Sequence, residues 1–137
     1  MSSPKNNGIL IVDDQRDIAD LVKILLQKEG YDVHEFYDPF MALEYFKENF
    51  KNFALVITDV RMPGMSGIEL VSKIKEISPD IKSFLMTSLE INAIKSEIVK
   101  NALEISEIIQ KPIPLKELVM SVNKHIKLNV IRNTNSI

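Results

Sequence analysis

The sequence predicts an α/β domain built on a doubly wound parallel sheet of five strands with five helices. Two observations carry that expectation. Five short strand-like runs alternate with stretches whose apolar residues recur at helical spacing, and such alternation favours parallel strands joined by right-handed crossovers, with helices on both faces. The first, third, fourth and fifth runs also lead directly into Asp13-Asp14, Asp59, Thr87-Ser88 and Lys111-Pro112. In an open parallel sheet those positions share the carboxyl edge, where ligands bind.

Gly8 to Val12 is apolar and stops at Asp13, the pattern of a buried strand meeting a polar edge. Ile18, Leu21, Val22 and Leu25 then share a helical face, and Gly30 can take the left-handed conformation that ends a helix. Tyr31 to Phe36 is the second strand. Asp38 before Pro39 caps a second helix carried by Met41, Ala42, Leu43 and Phe46. Ala54 to Thr58 forms the third strand and delivers Asp59 into a Pro-Gly turn. Ser66 and Glu69 have capping-box spacing in a helix with Ile68, Leu70, Val71, Ile74 and Ile77, which Ser78-Pro79 stops. Lys82 to Met86 is the fourth strand. A fourth helix is expected from Glu90 to Leu103 on Ile91, Ile94, Ile98 and Ala102, with Asn101 standing in for a terminal glycine. Ile105 to Gln110 is the fifth strand, and Pro114 opens a fifth helix with Leu115, Leu118, Val119, Val122 and Ile126 in phase.

One domain fills 137 residues, with polar tails expected at 1–7 and 129–137 and the folded unit at 8–128. Lys and Arg number 17 against 19 Asp and Glu, and the resulting charge of -2 indicates no nucleic-acid surface. The absence of cysteine removes disulfide, thiolate and zinc-thiolate chemistry and suits a reducing interior. The polar start is unlike a signal peptide, and no apolar run reaches the roughly 20 residues of a membrane helix, so a cytoplasmic protein without a membrane contact is expected. His34 and His125 lack the neighbours of a metal or phosphodonor site.

Singly, the strand-end residues have ordinary readings: Asp13-Asp14 as a helix cap, Asp59 as a turn residue, Thr87 as a strand or cap residue, Lys111 as a solvated lysine. Jointly they do not, because three carboxylates on one edge repel unless a cation or a lysine offsets them. Mg²⁺ suits a site of few carboxylates completed by water and backbone oxygen. A carboxylate on a rigid strand can attack phosphorus if such charges neutralise the phosphoryl oxygens. That reading assigns Asp59 as nucleophile, Asp13 and Asp14 as metal holders, and Lys111 and Thr87 as contacts to the phosphoryl oxygens.

Ile11-Val12-Asp13-Asp14, Thr58 through Gly67, Met86-Thr87-Ser88 and Gln110-Lys111-Pro112 together resemble the response-regulator receiver domains of two-component signalling, over about Gly8 to Leu128. The resemblance implies a flavodoxin-like strand order of 2-1-3-4-5 and phosphorylation of Asp59 by a sensor histidine kinase or phosphotransfer protein. It further implies Mg²⁺ bound by Asp13, Asp14, Asp59 and the backbone carbonyl of Arg61, a switch hydroxyl at Thr87, and Lys111 with a cis bond to Pro112. Such a protein is not an enzyme beyond its own phosphorylation and dephosphorylation. Output is expected through protein binding at the fourth helix, fifth strand and fifth helix, with a phosphorylation-dependent homodimer as one form. The chain is expected to act alone or as the receiver part of a longer regulator.

Three departures from the family pattern stand out. Ile108 replaces the usual aromatic switch residue, and no glycine separates the fourth helix from the fifth strand. Arg61 and Leu89, which flank the family's water path to the phosphoryl group, are bulky and are expected to slow its hydrolysis. Rival readings are weaker. A haloacid-dehalogenase-type phosphatase needs an aspartate where Arg61 stands, and a flavodoxin-like flavin carrier needs a Ser, Thr and Gly loop where Asp13-Asp14 stand. A phosphate-independent docking module is disfavoured because the whole reactive set is present.

Overall fold

The computed structural model describes residues 7–127. The expected tails therefore lie, Asn7 apart, outside the described residues. The elements are β1 (Gly8–Val12), α1 (Arg16–Lys28), β2 (Asp32–Phe36), α2 (Pro39–Asn49), β3 (Phe53–Asp59), α3 (Gly67–Ile77), β4 (Lys82–Thr87), α4 (Ile91–Lys100), β5 (Glu107–Gln110) and α5 (Leu115–Val122). A 3-10 turn at Phe50–Asn52 leads into β3, and a π turn at Asn123–Lys127 follows α5. Every strand pairing is parallel, in the order β2-β1-β3-β4-β5, as expected.

Alternation along the strands divides the core into two layers. Leu10, Val12, Val56 and Leu85 pack with Leu43 and Phe46 of α2, Val71 and Ile74 of α3, and Ile94 and Ile98 of α4. Ile9, Ile11, Ile57, Phe84 and Met86 pack with Val22 and Leu26 of α1 and Leu118 and Val122 of α5. Phe46 and Phe84 are wholly buried, one in each layer. Burial of this kind contributes roughly 1.5–3 kcal/mol for each large apolar side chain, and it fixes the carboxyl edge of the sheet as a rigid rim. Among the described residues no helix is long and apolar enough to cross a membrane.

The N-caps expected for α2 and α3 form. Asp38 accepts from Phe40 N–H at 2.8 Å, and Ser66 accepts from Glu69 N–H at 3.1 Å. Gly30 ends α1 with φ 99, closed by Gly30 N–H to Gln27 O at 3.0 Å and Tyr31 N–H to Leu26 O at 3.3 Å, a Schellman motif.

Several details differ from the sequence reading. The buried stripe of α1 runs through Ala19, Val22 and Leu26; the small Ala19 centres it, and Leu21 turns outward at 47% exposure. Met41 likewise faces solvent, because Ala42, Leu43 and Phe46 fill the inner face of α2. Strand β2 begins at Asp32, since Tyr31 N–H belongs to the closure of α1. Helix α4 stops at Lys100 rather than Leu103, and β5 starts at Glu107 rather than Ile105.

The stand-in for glycine after α4 is Ala102, at φ 53, not Asn101. Ala102 N–H bonds Val99 O at 3.0 Å and Leu103 N–H bonds Ile98 O at 3.1 Å, the same motif that Gly30 closes. Asn101 instead turns its amide to Glu97 O at 2.8 Å. Pro114 is the N-cap of α5 rather than its first helical residue.

Candidate functional site

The ends of β1, β3 and β4 and the residue after β5 meet at one rim. Asp13 follows β1, which lies between β2 and β3, and its side chain is 0% exposed. Its Oδ1 accepts from Gln15 N–H at 2.9 Å and its Oδ2 from Lys111 Nζ at 3.1 Å. Asp59 is the last residue of β3, one further than expected, and is 7% exposed. Its Oδ1 accepts from Val60 N–H at 3.0 Å, and its Oδ2 lies 3.5 Å from Lys111 Nζ. Lys111 also donates to Gln15 Oε1 at 2.9 Å, and its peptide bond to Pro112 is cis. Residues from both ends of the chain thus share one ammonium group.

Asp14 is exposed beside this pair, and carboxylate oxygens from Asp13, Asp14 and Asp59 lie within 4.8 Å of one another. Burial pushes the Asp59 carboxyl up to about 6, with the neighbouring Asp13 charge adding to it, against the pull of Lys111. Burial also raises Asp13 above the usual carboxylate range. One lysine does not balance three carboxylates, and an all-oxygen donor set is what a hard divalent cation takes. The residues present therefore fit Mg²⁺.

Gly67, the first residue of α3, sets the loop beneath Asp59. A Cβ there would lie 2.1 Å from Asp59 O, and its N–H donates to Val60 O at 2.8 Å. Only a residue without a side chain permits that approach.

Thr87 is buried at the end of β4, but its Oγ1 turns to its own loop and accepts from Leu89 N–H at 2.9 Å. Gln110 Nε2 donates to Leu89 O at 3.1 Å, tying that loop to β5. Arg61 is exposed two residues beyond Asp59. Ile108 is half-buried against the layer formed by α2, α3 and α4. Sequence reasoning missed the contacts of Gln15, Gln110 and Gly67. A glutamine at a helix N-cap position and a glycine at the start of a helix were the available signals.

Chemically, the rim presents a buried carboxylate fixed by one backbone N–H, a lysine aimed at its other oxygen, and a cation-ready pair beside it. A family model of the response regulator receiver domain matches residues 9–123. The chain belongs to that receiver family.

This receiver is 33% identical to the response regulator receiver protein CpdR of Brucella abortus (strain 2308), covering 85% of this chain and 93% of that one. It is 33% identical to sporulation initiation phosphotransferase F of Bacillus subtilis (strain 168), covering 90% and 96%. Against transcriptional regulatory protein YvrH of the same organism it is 35% identical but spans 50% of that protein. A receiver-domain structure from Methanospirillum hungatei JF-1, described as CheY-like, superposes with a TM-score of 0.80 at 26% identity, over 95% of this chain and 99% of that one. One from Clostridium thermocellum gives 0.79 at 26% identity, over 90% and 97%. Receivers are signalling components of two-component systems rather than enzymes of metabolism.

Proposed function

We propose that this receiver, over residues 8–128, takes a phosphoryl group on Asp59 and signals in the cytoplasm through a change in protein binding. The observation that carries the proposal is the Lys111 ammonium set 3.1 Å from Asp13 and 3.5 Å from Asp59, with Asp14 completing a cation-ready cluster. An Asp59 oxygen attacks phosphorus, the bond to the donor's nitrogen or oxygen breaks with its electrons leaving on the donor, and an acyl phosphate forms. The donor nitrogen would belong to a phosphohistidine of a sensor kinase or phosphotransfer protein. Asp13, Asp14, Asp59 and the Arg61 carbonyl are the proposed holders of Mg²⁺, which when bound neutralises charge on the phosphoryl oxygens. Lys111 supplies the remaining positive contact.

Formation of the acyl phosphate offers the Thr87 hydroxyl a charged acceptor, whereas its Oγ1 now accepts from Leu89 N–H. If its hydroxyl turns to donate there, the Leu89 loop loses one tie and bears on Gln110. This shifts a two-state equilibrium, and the face of α4, β5 and α5, where Val99 and Met120 are 78% and 68% exposed, meets the partner or a second copy. Ile108 takes part by repacking rather than by a ring swing. The bulk of Arg61 and Leu89 slows hydrolysis, so the phosphoryl half-life should shorten when both are replaced by small residues.

The test is intact mass after incubation with acetyl phosphate, with and without Mg²⁺, beside an Asp59→Ala variant. One Mg²⁺-dependent phosphoryl adduct, absent from the variant, is expected. A folded protein that gains none under any condition contradicts the proposal and favours a phosphate-independent docking module.

A further inference from the structure

Gln15 occupies the N-cap of α1, yet its side chain makes no cap hydrogen bond there. Ser, Thr, Asp or Asn at that position would ordinarily satisfy a free N–H at the helix start. Gln15 instead extends across the rim to Lys111, its Oε1 accepting from Nζ at 2.9 Å, while its own N–H holds Asp13 Oδ1 at 2.9 Å. A residue that departs from the local rule at a reactive edge, with its side chain turned to the reactive lysine, is where function overrides helix stability.

The ammonium group has three N–H donors. Its partners are Gln15 at 2.9 Å, Asp13 at 3.1 Å and Asp59 at 3.5 Å. Two shorter bonds hold it from the side of the loop between β1 and α1; the longest points at Asp59. Of the two holding groups, Asp13 is a carboxylate that also belongs to the cation-ready cluster. Gln15 is neutral and stands outside that cluster, so its hold on Lys111 does not compete with a cation.

We infer that Gln15 is a positioning residue for phosphorylation: it keeps the Lys111 ammonium aimed at Asp59 while the carboxylates engage other charge. The inference rests on the phosphoacceptor reading above. Gln15 is exposed, and its replacement leaves both core layers intact.

Three proteins test it: wild type, Gln15→Ala and Gln15→Ser. Lys111 is read without any phosphorylation, by its rate of acetylation with trace acetic anhydride. Loss of its neutral partner should speed that labelling severalfold in both variants. Initial rates of phosphorylation by acetyl phosphate in Mg²⁺ should fall about three- to tenfold in both, the effect of losing one ordinary hydrogen bond at an exposed position where water takes up part of the contact. The serine variant should meanwhile unfold at higher urea than wild type, because it gains the missing cap. A merely structural role for Gln15 does not produce a protein that is more stable and slower. Unchanged labelling, or unchanged phosphorylation in the variants, overturns the role of Gln15 alone. A wild-type protein that takes up no phosphoryl group overturns the phosphoacceptor reading and the inference with it.

Discussion

Replacing Asp59 by asparagine should stabilise the metal-free protein near neutral pH. A carboxyl that titrates at about 6 in the folded chain instead of 3.8 is disfavoured as an anion by up to about 3 kcal/mol. The rim is open to solvent on one side, and screening reduces this to about 1–2 kcal/mol. The amide keeps the acceptor oxygen for Val60 N–H, now bonded at 3.0 Å. Its NH2 takes the place of Oδ2, 3.5 Å from Lys111 Nζ, and the attraction given up there is already counted in the net upward shift, which includes the pull of Lys111. The sign follows from the direction of the shift: the folded pKa is raised, so the folded state holds its proton between 3.8 and about 6. The contribution of Asp59 to stability is therefore present below 3.8 and is lost as pH rises through about 6. Urea unfolding in EDTA, for both proteins between about pH 4 and about pH 7.5, reads this directly. The variant should lead by about 1–2 kcal/mol at the upper end, about 5 °C in Tm, and the gap should close toward the lower end. A variant no more stable at the upper end, or a gap independent of pH, refutes the electrostatic account of the site.

Mg²⁺ should raise the Tm of the wild-type protein with a stabilisation of about 1.4 kcal/mol at ten times its dissociation constant, and Asp14→Ala should abolish most of that rise; a thermal shift titration checks it. Gly67→Ala places a Cβ 2.1 Å from Asp59 O, and the displaced backbone should cost at least about 1–3 kcal/mol in urea unfolding and slow phosphorylation together. Ala102→Gly, at φ 53 on an exposed turn, should stabilise by about 0.5–1 kcal/mol, the relief of the left-handed penalty less the greater freedom of glycine in the unfolded chain.

The parallel sheet was legible because β1 and β3 are apolar nearly throughout, β4 is apolar from Phe84 to Met86, and each crossover keeps one apolar face. The site was legible for the same reason: strand ends must meet in such a sheet, so Asp13, Asp59, Thr87 and Lys111 could be placed together without coordinates. Orientation was less legible. Leu21 fits a helical stripe as well as Ala19 does, and only the close approach of α1 to the sheet decides which is buried. The end of α4 was obscured because alanine, a good helix former, takes the left-handed position that glycine marks after α1. Gln15 and Gln110 were passed over because their partners, Lys111 and the Leu89 carbonyl, are remote in sequence and follow no periodicity.

The aspartate that receives the phosphoryl group decides whether the rim works as described. An acyl phosphate can be reduced by borohydride to the corresponding alcohol, which marks the modified aspartate as homoserine in a peptide mass spectrum. After treatment with acetyl phosphate and Mg²⁺, the account predicts that mark at position 59 and none at Asp13 or Asp14. Homoserine at either of those residues, or at no aspartate of a folded and phosphodonor-treated protein, would contradict it.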